Sequence, residues 1–173
     1  MNALPHPDNL HVNAAEGWLM LGDVQAAREE LTKLAPPSQA HPEVLDVRWS
    51  VHAAKGEWQE AFQAAQQIVT SSPECSYGWV HRAYAARRKP GGGLSEAWDA
   101  LRPAADLFPK VDIIPYNLAC YAAQMGRADE AWTWLRKAMK AGRRVSRIRE
   151  MALADSDLEP LWPRLQSETK SSE

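Results

Sequence analysis

Cysteine, glycine and long apolar runs are all scarce in this 173-residue chain. Two cysteines, Cys75 and Cys120, cannot build a disulfide-dense secreted scaffold. Both are expected as reduced thiols in a cytoplasmic setting. No stretch approaches the roughly 20 consecutive apolar residues that span a bilayer, so no membrane partner is expected. The segment Met1 to Asp8 has no basic region followed by an apolar one, and no secretory signal is read there. Alternating strand patterns bounded by pairs such as Asn-Gly are missing as well. Neither charge sign dominates: 20 Lys+Arg against 22 Asp+Glu leave a net charge of −2. That balance excludes a protein defined by wholesale binding to nucleic acid or an anionic membrane. Phe (2) and Tyr (4) are few, yet tryptophan reaches 8.

What remains is a chain long enough to bury its own core, 45% hydrophobic and rich in the helix formers Ala, Leu, Glu, Gln and Arg. Its strongest signal is a repeat. Gly22, Gly56, Gly92 and Gly126 fall at intervals of 34, 36 and 34, and five residues after each comes Ala27, Ala61, Ala97 or Ala131. Leu31, Ala65, Leu101 and Leu135 follow, then Leu34, Ile68, Ala104 and Ala138. Pro37, Pro73 and Pro109 close the first three units. Alanine permits close helix approach, glycine supplies a turn with positive φ, and proline cannot continue a helix. The spacing predicts helices over 8–21, 24–34, 42–54, 57–71, 76–88, 95–108, 113–125 and 128–141. Pro103 should kink or shorten the sixth.

These spacings resemble the tetratricopeptide repeat (TPR). Trp79 with Ala83, Ala97, Leu101, Ala104 and Pro109 carries the likeness, as does the run from Tyr116 to Gly126 followed by Ala131. The resemblance implies an all-α fold, a right-handed α-solenoid of antiparallel helix pairs. It implies a flexible leader over 1–7, helix pairs over 8–37, 42–73, 76–109 and 112–141, a helical cap over 142–166 and a disordered tail over 167–173. Arg48 and Arg82 stand where the repeat usually has an apolar residue, and the turn around Pro90-Gly91-Gly92-Gly93 is two residues longer than its counterparts.

Catalytic and metal-binding patterns are absent. His6, His11, His41, His52 and His81 lack HExxH or His-x-His spacing, and neither cysteine has a CxxC partner. The glycines after Lys89 lack the phosphate-cradling GxxxxGK[ST] order. Asp155, Asp157 and Glu159 lack the glycine and distal glutamate of a calcium loop, and Asp157 is expected to cap the helix after it. Trp98 and Trp132 sit at equivalent positions, where the second unit has Phe62, so they are expected to pack. Trp162 is expected to dock the terminal segment. No enzyme and no cofactor are expected. A basic run of Arg136, Lys137, Lys140, Arg143, Arg144, Arg147 and Arg149 leaves three readings open: a solvated face, an acidic protein partner, or nucleic acid.

In TPR proteins the first helices of successive pairs line a concave groove. That resemblance places Asn9, Val12, Asn13 and Glu16, then Asp46, Val47 and Ser50, then Tyr77, His81, Tyr84, Arg87 and Arg88, then Tyr116, Asn117, Cys120 and Gln124 along a partner-binding face. It implies a non-enzymatic protein–protein interaction module that holds a protein or peptide, with an acidic one among the candidates. A homodimer is the second expectation and nucleic acid through 136–149 the least favoured. The lysine, arginine and asparagine clamp used by chaperone-tail-binding TPR domains is missing, since Val12, Glu16, Tyr77 and His81 occupy its positions.

Overall fold

The computed structural model describes residues 3–142 and 144–170. Met1 and Asn2 of the leader, Arg143 of the basic run and residues 171–173 of the tail lie outside the described residues. Every regular element among the described residues is helical. The chain forms two compact units, Met1–Gly92 and Gly93–Glu173. The first holds α1 (Asp8–Met20), α2 (Val24–Thr32), a 3-10 turn η1 (Pro36–Ala40), α3 (Pro42–Ala54), α4 (Trp58–Ser71) and α5 (Ser76–Arg88). The second holds α6 (Leu94–Leu101), α7 (Ala104–Leu107), α8 (Ile113–Gln124), α9 (Ala128–Ala141), α10 (Val145–Ala154), a 3-10 segment η2 (Ser156–Leu161) and α11 (Trp162–Lys170).

The repeated small residues are what the core is made of. Ala27, Ala61, Ala97 and Ala131 are each fully buried, and so are Ala65, Leu101 and Leu135 in the next register. Leu4, Val12, Leu31, Val44, Val47 and Val51 join in one apolar cluster of the first unit. The leader is therefore anchored at Leu4. Gly78 lets α5 approach α4: a Cβ there would stand 2.5 Å from Ile68 Cγ2. In the second unit Ile114, Leu118, Leu135, Leu158, Leu161 and Leu165 are buried almost completely, which brings η2 and α11 into the core. Helix α11 runs past the expected boundary at 166 to Lys170.

Three helix ends share one device. The N–H of Gly22 bonds to Leu19 O (3.1 Å) and that of Asp23 to Trp18 O (2.9 Å). Gly56 and Glu57 repeat the pattern on Ala53 and His52, and Gly126 and Arg127 on Ala123 and Ala122. This is the Schellman end, which needs a positive φ at its glycine; the values are 80°, 71° and 75°. The third turn differs. Its positive-φ glycine is Gly91 (72°), not Gly92 as the spacing predicts. Gly92 N–H bonds to Lys89 O at 2.9 Å across Pro90-Gly91, the pattern of a type II turn with proline and glycine at its centre. Gly92 has a separate duty, because a Cβ there would fall 2.0 Å from Ala86 O.

Pro103 divides the sixth predicted helix. Without an N–H it cannot bond back into the preceding turn, and α6 ends at Leu101 while α7 starts at Ala104. Arg48 and Arg82 keep their repeat positions by laying their stems inward and finding polar partners for their heads. Arg82 Nη1 donates to Gln66 Oε1 (3.3 Å) and its guanidinium lies 4.7 Å from the Trp79 ring centre. Arg48 bonds to Gln39. Burial pushes both guanidinium pKa values down from their ordinary range.

Glycine substitutions separate these roles. Gly92→Ala should cost about 1–3 kcal/mol in chemical denaturation, because the new methyl meets backbone. Gly93→Ala should stay within about 0.5 kcal/mol, since its Cβ site is open. Equal costs at the two positions would contradict the assignment.

Polar ties hold α1 and α2 together and fasten the α3–α4 turn. Glu30 contacts Lys33 (2.7 Å) and His11 (2.9 Å); Glu57 contacts His52 and Arg28, both at 2.6 Å, and Lys55 at 3.3 Å. The Glu57 carboxyl is held below its ordinary 4.5 chiefly by the hydrogen bond from His52, against burial, which raises it. Glu30 is lowered chiefly by Lys33. A depressed carboxylate contributes stability above its unfolded pKa and loses it as pH falls through the folded value. The urea midpoint should therefore fall on acidification below about pH 4.5. Glu57→Gln should lower the neutral-pH midpoint and flatten that fall. An unchanged slope in this variant would assign the acid sensitivity to other carboxylates.

Candidate functional site

Residues at i, i+3 and i+4 share one face of a helix, which on α3 groups Asp46, Trp49 and Ser50. On α5 the same rule groups Tyr77, His81, Tyr84 and Arg88. The two faces meet. His81 Nε2–H donates to Asp46 Oδ1 at 2.8 Å, and its ring stacks on Trp49 with centroids 3.7 Å apart and planes within 9°. Tyr84 points its edge at Trp49 (6.0 Å, 71°) and lies 5.8 Å from Trp58, the first residue of α4. Tyr77 stands 6.1 Å from His81. The Arg88 guanidinium covers the Tyr84 ring at 3.5 Å and approaches Trp58 at 5.5 Å.

This cluster is half in solvent. Tyr84 is 38% exposed, and Trp49, Trp58, His81 and Arg88 are half-buried. Trp49 Nε1 is a buried donor with no partner. Burial, with the thiol of Cys75 next, pushes the Tyr77 hydroxyl above its ordinary pKa, so it stays protonated. The face thus offers aromatic edges and planes, one anionic group already shared with a histidine, and one cation resting on a ring.

The other sequence-predicted positions divide. Val12 and Val47 are core residues, not groove residues, because they point into the apolar cluster under α1 and α3. Asn13 and Glu16 are exposed on α1, and Asn9 is half-buried with a buried, unpartnered Oδ1. Nothing among the described residues bonds these three side chains to the aromatic cluster. Ser50 and Arg87 are half-buried on α3 and α5.

Tyr116, Asn117, Cys120 and Gln124 belong to the second unit, where the chain's own η2 covers much of that face. Tyr116 Oη donates to Asp155 Oδ2 (3.0 Å), Cys120 Sγ lies 3.6 Å from the same oxygen, and Gln124 Nε2 donates to Asp157 O (3.1 Å). Burial and Asp155 push the Tyr116 hydroxyl up. Asn117 is half-buried. The cap of η2 is Asp155, not Asp157: Asp155 Oδ1 accepts from Asp157 N–H at 3.0 Å, two residues ahead as an Asx turn requires. Trp132 is buried and Trp98 sets its edge on Trp134 at 6.1 Å. Trp162 Nε1 donates to Ala152 O at 2.9 Å, tying α11 to α10.

Trp49 and Trp58 are the site residues that sequence reasoning missed. The signal for Trp49 was its spacing, three after Asp46 and one before Ser50. Trp58 carried none, since it enters from the start of a second helix. No group of three or more His, Cys, Asp or Glu side chains suited to a metal occurs among the described residues. No helix among them is long and apolar enough to cross a membrane.

Helix pairs closed by glycine and packed through alanine define a TPR-like fold. No protein-family model matches the chain, and no curated protein matches its sequence. Among solved structures it is similar to TTC0263, a thermophilic TPR protein in Thermus thermophilus, with a TM-score of 0.68 and 15% identity over 95% of this chain and 97% of that one. It is similar to MamA with a TM-score of 0.66 and 17% identity over 95% of this chain and 93% of that one. A second MamA structure, the RS-1 ArsTM double mutant, gives 0.66 and 16% over 78% and 75%. At these identities the likeness is one of fold.

Proposed function

We propose that the chain is a protein-interaction scaffold whose first unit holds a peptide segment of a partner on the α3–α5 face. The observation that carries this reading is the aromatic cluster of Trp49, His81, Tyr84 and Trp58. Large, rigid, partly wet aromatics give much contact area at little entropic cost, which is why they concentrate at binding hot spots. The exposed edge of Tyr84 and the partly exposed rings of Trp49 and Trp58 offer a peptide its apolar contact area. Arg88 has its planar face on Tyr84, and a partner's carboxylate can reach its outer edge while it stays there. Peptides selected from a random displayed library on the full chain should bind at least roughly tenfold more weakly to a Trp49→Ala/Tyr84→Ala variant. Selected peptides that bind both proteins equally would remove this face from the function.

A second reading, self-association, is favoured by α1. Leu10 (53% exposed), Trp18 (39%) and Leu21 (76%) line one stripe around Gly17, where nothing lies within 4 Å of a Cβ position. Thirty-four residues on, the same stripe of α3 includes Val44 and Val51, which pack with Leu31 of α2. The stripe on α1 has no such cover among the described residues, and it carries no charge to repel a second copy. Light scattering across a concentration series should give a mass that rises toward the dimer, and Leu10→Glu/Leu21→Glu should hold it at the monomer. A constant monomer mass for the unaltered chain would end this reading.

A further inference from the structure

Four cations of the basic run line two adjoining clefts. Lys137 and Lys140 line a cleft with Phe108, Pro115 and Trp134, and the Lys137 ammonium rests 3.8 Å from the Trp134 ring centre. Arg144 and Arg147 line an adjoining cleft of about 460 Å³, and Lys110 borders both. That volume falls within the range of small-ligand and side-chain pockets.

The second cleft combines two chemistries. Its floor is aliphatic: Ile113, Ile148 and Met151, with Ile113 and Met151 each 38% exposed. These two are among the few large apolar side chains that the described residues of the second unit leave in solvent. Its rim carries Lys110, Arg144 and Arg147, none with an ion-pair or hydrogen-bond partner among the described residues, against one carboxylate, Asp112. The first turn of α10 begins at this rim with no side-chain cap, so its free N–H groups add positive potential.

From this arrangement we propose that the cleft of α8, α9 and α10 is a second docking site, whose occupant is an acidic, amphipathic segment of a partner protein. Apolar side chains of the segment enter over Ile113, Ile148 and Met151, and flanking carboxylates meet Lys110, Arg144 and Arg147. The aliphatic floor selects against nucleic acid. A single strand needs aromatic planes for its bases, and Tyr116, the one aromatic lining the cleft, is buried with its hydroxyl bound to Asp155. A bare inorganic anion would leave the floor unused. The site shares no residue with the aromatic face of the first unit, so each stands or falls alone.

The test is fluorescence anisotropy on the full chain with a dye-labelled Glu-Asp-Leu-Glu-Phe-Leu-Asp-Glu-amide. Two control peptides replace all acids by their amides, or all apolar residues by serine. Arg144→Glu/Arg147→Glu alters only exposed side chains, and circular dichroism verifies its fold. Binding should weaken at least roughly tenfold for either control peptide and for this variant, and should decline with added salt. Trp49→Ala/Tyr84→Ala should bind this peptide as the unaltered chain does. Equal affinity for the amide control, or for Arg144→Glu/Arg147→Glu, would overturn the proposal. So would a single-stranded oligonucleotide that displaces the peptide and binds more tightly than it.

Discussion

Two helix axes close to about 8–10 Å only where the side chains between them are small enough. At Ala27, Ala61, Ala97 and Ala131 the methyl group is fully buried, one position in each repeat register. Everything else is arranged around that contact. A larger residue there would push the helices apart and open voids at Leu31, Ala65, Leu101 and Leu135, the next buried layer. The glycine five residues earlier matters for the same reason. At Gly22, Gly56 and Gly126 it ends one helix within a few residues, so the next can return at the distance the alanine permits. Where the alanine alone does not suffice, Gly78 removes even the methyl and brings α5 onto Ile68.

The short-range part of this order was legible in the amino-acid pattern because glycine, alanine and proline act locally. The observed helices start and stop within a few residues of the positions that spacing predicts, and Pro103 breaks α6 from α7 as its missing N–H demands. The roles of adjacent glycines were legible only in part. Gly91 takes the positive φ because it follows Pro90 in the turn, and the approach of the Ala86 carbonyl, which no local pattern shows, requires Gly92 to lack a Cβ. Arg48 and Arg82 read as departures from the pattern, but the glutamines that satisfy them come from other elements.

Site residues were legible in proportion to how far they depend on one helix. Asp46, Tyr77, His81, Tyr84 and Arg88 were expected from the resemblance to the repeat, and their side chains meet in one cluster. Val12 and Val47 were expected from the same resemblance yet turn inward, because an apolar side chain at the edge of a face gains more by burial than by exposure. Trp49 belonged to the face by spacing but sat beside residues that already filled the expected positions. Trp58 required knowing where α4 begins in space.

In the second unit a later segment of the chain engages one face of α8. Tyr116, Cys120 and Gln124 share that face. Here they bind Asp155 and Asp157 of the same chain. The linkage has a chemical logic: the Asp155 carboxylate caps η2 through one oxygen and accepts from Tyr116 through the other, so a single side chain both starts the segment and fastens it. Leu158, Leu161 and Leu165 are themselves buried, so the segment that carries these bonds is also held by the core. Arg144, Val145 and Arg147 lie exposed where α10 begins. The net charge of −2 thus conceals, within this unit, a carboxylate engaged at Asp155 and exposed cations at Arg144 and Arg147.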